Sequence, residues 1–272
     1  MSIAILYVCT GKYTVFWNEF YNSFKTNFCP KSEKTFFVFT DANQLRYENE
    51  ADVIKVYQEC LGWPYDTLMR FEMFSKVHKE LEQFDYIFFF NANMICKTII
   101  TEKDFLPDIS KGQKLTVVKH PGLGTKKYKF CPLERNCHSN AYIPYNRRGI
   151  YVCGGVNGGT RDGYLQLIDT LRERINDDLK RGIIAQVHDE SHLNKYVLNR
   201  QDVRYLGPEY CNPDDIDTSY EVKIQLLDKN KYLDINGIKN IKRESVLQKW
   251  KRRIKKYIRC EIGNIVDNLL KK

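Results

Sequence analysis

Apolar residues in the first two-thirds of the chain gather in short unbroken runs. These are Ile3-Ala4-Ile5-Leu6-Tyr7-Val8, Phe36-Phe37-Val38-Phe39, Val53-Ile54-Lys55-Val56, Tyr86-Ile87-Phe88-Phe89-Phe90 and Leu115-Thr116-Val117-Val118. Runs of this length without alternation predict strands buried on both faces. Polar residues close several of them, at Thr10-Gly11, at Thr40-Asp41 and at Asn91. Between the runs the period changes. Leu68, Phe71, Phe74, Val77 and Leu81 recur at spacings of three and four and predict one helix. Leu165, Ile168, Leu171, Ile175 and Leu179 predict another, with Gly182 as the residue just past its end. Strand and helix in alternation predict an α/β domain with a mainly parallel sheet flanked by helices. In such sheets ligands sit beyond the carboxyl ends of strands, so the loops after Val8 and at Asn91 are the places to look.

From about residue 239 the pattern changes again. Val246, Leu247, Trp250, Ile254, Tyr257, Ile258, Ile265 and Leu269 form an apolar stripe, with Lys249, Lys251, Arg252, Arg253, Lys255, Lys256 and Arg259 beside or opposite it. This predicts a basic amphipathic helix with a break near Gly263, and divides the chain into a domain over 1–238 and a tail over 239–272. The charge follows the same division. The tail holds 12 Lys/Arg against 3 Asp/Glu, which leaves 31 of each elsewhere, so the formal net charge of +9 belongs to the tail. A uniformly basic nucleic-acid binder is not built this way, and no nucleic-acid partner is expected. Two readings of the tail stand. It lies on an anionic membrane surface, or it packs on the domain with its charges solvated or facing a nucleotide.

Composition narrows the class without naming a function. The chain has 272 residues, 43% hydrophobic and 28% charged, with 15 Gly and 8 Pro, which is globular rather than disordered or fibrous. No apolar run approaches the ~20 residues that span a bilayer. The first residues lack a basic segment and a small-residue cleavage site, so the expectation is a cytoplasmic protein, if anything peripheral on the inner membrane face. The nine cysteines are scattered and no CxxC occurs, which predicts buried thiols rather than disulfides or a zinc site.

Three segments carry candidate chemistry. Asn91-Ala92-Asn93 follows the strongest strand, and two short polar side chains at i and i+2 of an extended segment face the same way. Aspartates here would hold a divalent metal against a diphosphate; neutral amides bind one weakly, and an Asx turn closing the strand is the simpler reading of them. His188-Asp189-Glu190-Ser191-His192-Leu193-Asn194-Lys195-Tyr196 reads as a helix capped by Asp189 or Ser191. It also reads as a carboxylate cluster at a positive helix end, with Glu190 able to meet an electron-poor carbon. Tyr151-Val152-Cys153-Gly154-Gly155-Val156-Asn157-Gly158-Gly159 is a hairpin or tight bend, or a backbone that a ligand approaches closely.

In this order the motifs resemble the family-six retaining glycosyltransferases, which include the histo-blood-group A and B transferases, the α-1,3-galactosyltransferases and bacterial relatives. The resemblance runs over roughly residues 3–235. Besides the 188–196 segment it rests on Gly11-Lys12-Tyr13, Arg70-Phe71-Glu72-Met73, His120-Pro121-Gly122, Ala141-Tyr142-Ile143-Pro144, Gly154–Gly159 and Pro208-Glu209-Tyr210-Cys211. It implies a GT-A fold, a UDP-sugar donor, and transfer of galactose or N-acetylgalactosamine (GalNAc) in α-1,3 linkage to a galactose hydroxyl, on an acceptor that is fucosylated or plain. Position by position, it makes Val8, Cys9, Thr10 and Tyr13 the uridine and ribose pocket and Arg70 a donor-binding arginine. Asp189 becomes the grip on donor-sugar hydroxyls with His188 beside it, Glu190 the catalytic glutamate that also meets the acceptor, and His120 an acceptor contact. Cys153-Gly154-Gly155 matches the donor-selecting triplet, and the space a glycine leaves at 155 favours GalNAc over galactose. Animal members carry DxD and need a metal, whereas Asn91-Ala92-Asn93 matches the bacterial branch. The expectation is therefore a metal-independent enzyme without cofactor, in which Lys231 and Arg243 help neutralise the diphosphate.

Overall fold

A computed structural model describes residues 1–239 and 246–269 of the chain. Its strands are β1 (Ser2–Val8), β2 (Glu33–Thr40), β3 (Val53–Tyr57), β4 (Tyr86–Phe90), β5 (Met94–Cys96), β6 (Leu115–Lys119), β7 (Val152–Thr160), β8 (Val203–Leu206), β9 (Asn212–Pro213) and β10 (Ile224–Leu226). Its helices are α1 (Trp17–Asn27), α2 (Tyr65–Leu68), α3 (Arg70–Ser75), α4 (His78–Leu81), α5 (Glu102–Phe105), α6 (Arg161–Lys180), α7 (His188–Val197), α8 (Ile235–Lys239) and α9 (Val246–Leu269). Seven strands form one sheet in the order β3-β2-β1-β4-β7-β6-β8. β7 runs antiparallel to both β4 and β6, and the other pairings are parallel. A small sheet, β5-β10-β9, lies beside it. This is a mixed α/β architecture of the GT-A type.

All five runs are strands of the main sheet, and helices cover both faces of its centre. The expectation of burial on both faces fails at β3, an edge strand on which Ile54, Lys55 and Tyr57 are exposed. On one face Trp17, Phe20 and Phe24 of α1 pack against Phe36, Phe88 and Phe90. On the other, Phe71, Phe74, Leu167, Ile168, Leu171 and Leu193 close over Phe37, Phe39, Ile87 and Phe89. The stripe from Leu68 to Leu81 is buried as expected, but three short helices carry it. The backbone leaves the α region at Met69 (φ −87, ψ 15) and at Val77 (φ −116, ψ 23). Burial of the stripe, not continuity of the helix, is what the spacing encoded. α6 is capped by Thr160, whose hydroxyl accepts the Gly163 N–H, and Gly182 follows it with φ +69.

The glycine-rich segment is neither hairpin nor bend. It is β7, in the middle of the sheet, and its second glycine pair answers to packing. A Cβ on Gly158 would lie 2.0 Å from Phe88 Cδ1, and one on Gly159 would lie 2.2 Å from the Lys114 carbonyl oxygen. Only residues without side chains let the aromatic β4 and the edge of β6 close on this strand.

α9 is unbroken through Gly263, where the missing side chain makes room for the Tyr145 ring. The predicted division at 238/239 falls inside α8. Among the described residues no helix is long and apolar enough to cross a membrane. Cys9, Cys29, Cys96, Cys131, Cys153, Cys211 and Cys260 are buried, whereas Cys60 and Cys137 are exposed.

Candidate active site

The start of β7 and the first turn of α7 are fastened together by one amide. Asn194 accepts the Val152 N–H at 3.0 Å and donates to the Val152 carbonyl at 2.9 Å, as a neighbouring strand would. It also donates to the Glu190 carbonyl at 2.9 Å. Gly154 then lies so close to α7 that a Cβ there would sit 3.0 Å from Glu190 Cβ.

That approach fixes the glutamate. Gly154 N–H donates to Glu190 Oε2 at 2.7 Å, and the Tyr151 hydroxyl donates to Oε1 at 2.5 Å. Burial raises the Glu190 pKa above the usual carboxylate value, with the Tyr151 and Gly154 donors opposing it. Beside it, buried Asp189 pairs with Arg70 Nη1 at 2.5 Å. Burial outweighs that cation and pushes the Asp189 carboxyl up to about 6. Arg70 also reaches the Gly154 carbonyl and Asn91 Oδ1, each at 3.4 Å, and its guanidinium lies 4.2 Å over the Phe89 ring. One guanidinium thus joins the end of β4, the start of β7 and the first turn of α7.

Neither expected cap holds α7. Asp189 is turned to Arg70, and the Ser191 hydroxyl reaches back to accept the Val187 N–H at 3.0 Å. The helix starts after Val187 without a side-chain cap, and His188 adopts φ +49.

A cleft opens at the carboxyl ends of β1 and β4, where the topology predicts it. Val8, Thr10, Tyr13, Arg70, Asn91 and Ala92 line it, together with Trp63, Asp66, Lys229 and Lys239. Lys229 Nζ lies 4.9 Å from the Tyr13 ring centroid. Its pKa falls to about 8, chiefly through burial and then through repulsion from Lys239 and Arg70. Lys239 Nζ lies 4.1 Å from the Trp63 ring centroid, and the His188 ring meets the same indole at 4.6 Å. His188 is held below its ordinary pKa by burial, Lys239 and Arg70. On the far side of Glu190, His120 Nδ1 accepts the Gly122 N–H, and its ring lies 5.7 Å from that of Tyr151.

Other expected positions differ. Cys9 and Cys153 are buried in the core, and burial raises the Cys9 thiol to about 12. Asn91 and Asn93 do not face one way, because the chain turns at Ala92-Asn93 instead of continuing extended. Asn93 is interior, donating to the Leu227 carbonyl at 2.6 Å, and its Oδ1 has no hydrogen-bond partner among the described residues. The space expected at Gly155 is already filled, since a Cβ there would lie 2.6 Å from Asn91 Nδ2. Lys231 points away from the cleft, is 57% exposed and pairs with Asp214 at 2.8 Å. Arg243 lies outside the described residues.

A divalent-metal seat does not fit these groups. The two amides diverge, neither is charged, and no group of three His, Cys, Asp or Glu side chains converges among the described residues. Sequence reasoning missed Tyr151, Asn194, Trp63, Lys229 and Lys239 as site groups. Asn194 left a signal, since it stands four residues after Glu190 on one helix face. Nothing local marks the two lysines, which come to the cleft only through the tertiary fold.

Comparisons with known proteins give the family. A family model for Glycosyltransferase family 6 matches residues 1–237. The chain is 35% identical over 233 residues to the O-antigen biosynthesis glycosyltransferase WbnI of Escherichia coli, across 85% of this chain and 96% of that protein. It is 26% identical over 221 residues to the globoside alpha-1,3-N-acetylgalactosaminyltransferase 1 of Gallus gallus, across 77% of this chain and 61% of that protein. It is 26% identical over 215 residues to the histo-blood group ABO system transferase 1 of Rattus norvegicus, across 77% of this chain and 60% of that protein. The chain therefore spans less than two thirds of these animal relatives. With the family model matching residues 1–237, which hold every strand of the sheet, this chain belongs to glycosyltransferase family 6 and is a hexosyltransferase that takes a nucleotide-sugar donor and a glycan acceptor.

Proposed function

We propose that the chain transfers GalNAc from UDP-GalNAc to the 3-hydroxyl of a galactose in a fucosylated or plain acceptor, with retention and without a divalent ion. The observation that carries this is the held carboxylate. Glu190 has one donor on each oxygen, stands beside the Arg70–Asp189 pair and adjoins the cleft wall, with His120 on its other side. A fixed carboxylate stabilises positive charge developing at the anomeric carbon. Glu190 serves equally as nucleophile in a covalent route or as counter-ion to an oxocarbenium-like pair, and both preserve configuration.

Leaving UDP develops negative charge, and the cations of the cleft wall meet it. Lys229 and Lys239 line the cleft and serve this role, and a diphosphate beside Lys229 opposes the burial that lowers its pKa. Lys231 joins them by exchanging Asp214 for a phosphate oxygen. Uridine occupies the wall at Val8, Thr10 and Tyr13. The enzyme works at the inner face of a membrane, on an acceptor carried there.

UDP-galactose is the competing donor. The Asn91 amide against Gly155 removes the space that favoured GalNAc, so preference for the acetamide rests on contacts of that amide. UDP release with each donor, on fucosylated and plain β-galactosides, in EDTA and in Mn²⁺, tests the whole reading. Faster turnover of UDP-galactose would reassign the donor. Activity lost in EDTA and restored by Mn²⁺ would overturn metal independence. A Glu190→Gln variant with near wild-type rate would remove that residue from catalysis.

A further inference from the structure

Among the described residues, α9 touches the rest of the protein on one side. There Lys129 pairs with Glu261 at 2.6 Å, and the Tyr145 ring fills the space at Gly263. Asp267 accepts from the Tyr145 N–H through its carboxylate and from the Asn146 amide, at 2.7 Å, through its carbonyl. Phe130 stacks on Tyr257 with centroids 5.4 Å apart. These contacts fix the rotation of the helix about its axis.

The opposite side is unpartnered among the described residues. Ile254, Ile258, Ile262, Ile265 and Leu269 follow one another at helical spacing and form one stripe. They are between 39% and 64% exposed, side chains that folding ordinarily hides. Lys251, Lys255 and Arg259 are exposed along one edge, and Trp250 is exposed near the start.

The charge selects the occupant. Residues 246–269 hold seven Lys/Arg and two Asp/Glu, so a second copy laid stripe to stripe would bring like charges together along the same edge. An anionic bilayer offers acyl chains to the stripe and phosphates to the basic edge at once. We infer that α9 lies in the interface of an anionic lipid surface, with the isoleucine stripe inward and Lys251, Lys255 and Arg259 at the headgroups. The segment it grips, residues 128–146, belongs to the connection that runs from His120 to Tyr151. The lipid surface is thereby tied to the acceptor side of the cleft, and the acceptor glycan is borne on a lipid. This last step rests on the transferase reading, while the surface itself does not.

Sedimentation of the full chain with phosphatidylcholine vesicles, with and without about one third phosphatidylglycerol, tests the inference. The wild type should pellet with the anionic vesicles and stay in solution with the neutral ones. Ile258→Asp with Ile262→Asp, and separately Lys251→Glu with Lys255→Glu, should each lower the bound-to-free ratio at least tenfold, about 1.4 kcal/mol. Both should keep wild-type circular dichroism and UDP release on a soluble acceptor. A wild type that ignores anionic vesicles, or an aspartate variant that binds them equally, would overturn it. So would a wild-type dimer that the aspartates dissolve while vesicles bind nothing, which would give the stripe to a second copy. Vesicle binding without any UDP release would instead sink the transferase reading and leave the surface standing.

Discussion

Replacing Tyr151 by Phe removes one hydroxyl from a ring that is otherwise buried. That hydroxyl donates to Glu190 Oε1 at 2.5 Å, while Gly154 keeps the other oxygen. A hydrogen bond to a charged group contributes roughly 1.5–3 kcal/mol, and this one favours the carboxylate over the acid. At about 1.36 kcal/mol per unit, its loss raises the Glu190 pKa by about one to two units. The group already stands above the ordinary range because burial outweighs its two donors. In the proposed reaction Glu190 acts ionised, so rate should fall as pH falls through its pKa in the complex. The variant should therefore carry the acid limb of the kcat profile upward by about one to two pH units, with the loss largest at low pH and fading toward alkaline pH. Initial rates of UDP release from about pH 5 to 9 at saturating substrates measure this, with a thermal melt to confirm folding. An acid limb that stays in place, or a loss equal at every pH, would refute the electrostatic account and leave the hydroxyl a packing role.

Gly155→Ala would drive a Cβ to 2.6 Å from Asn91 Nδ2, so melting should show about 1–3 kcal/mol of overpacking that an added Asn91→Ala relieves. Arg70→Met leaves buried Asp189 without its cation and should cost about 3–5 kcal/mol at neutral pH in urea unfolding. Without Arg70 the folded pKa of Asp189 rises further above its unfolded value, so the gap from wild type should narrow on acidification and widen as pH rises through that pKa. His192 is buried, 3.7 Å from Asp178, with no hydrogen-bond partner among the described residues, and its pKa is lowered from 6.5 to about 4. The unfolded chain takes up that proton first, so stability should fall by about 3 kcal/mol between those two values. His192→Leu should flatten that part of the urea-midpoint profile.

The sheet was legible because β1, β2, β4 and β6 are largely buried on both faces, so an apolar run and a strand coincide there, while β3 showed as a run although it is an exposed edge. β7 was not, since its glycines are chosen by Phe88 and Lys114, which the sequence places far away. The carboxylate pair at 189–190 could be read locally, because a helix start concentrates polar groups whatever their role. Their partners could not. Tyr151, Arg70 and Asn194 become one unit only when β7 lies against α7. The cleft lysines show the same limit more sharply. Lys229 and Lys231 stand two apart in one 3-10 turn, yet the first faces the cleft and the second faces Asp214. The resemblance put a basic residue of this turn at the diphosphate; the direction of the turn decides which one lines the cleft.

The amide at position 91 and the lysines of the cleft wall answer one electrostatic problem. Asp189 and Glu190 already share a single guanidinium, and burial holds both of their pKa values above normal. A third carboxylate at position 91, on the far side of Arg70, would add like charge to a region short of cations, and would need an ion to be tolerated. An amide there keeps the hydrogen bond to Arg70 and asks for no ion. The negative charge that arrives with a diphosphate then has to be met elsewhere, and the opposite wall carries Lys229 and Lys239 with their pKa values lowered by burial. A diphosphate bound there, as proposed, would oppose the effect of burial and favour the protonated form of both. In the proposed reaction the charge that an ion would bring with the donor is supplied instead by Lys229 and Lys239.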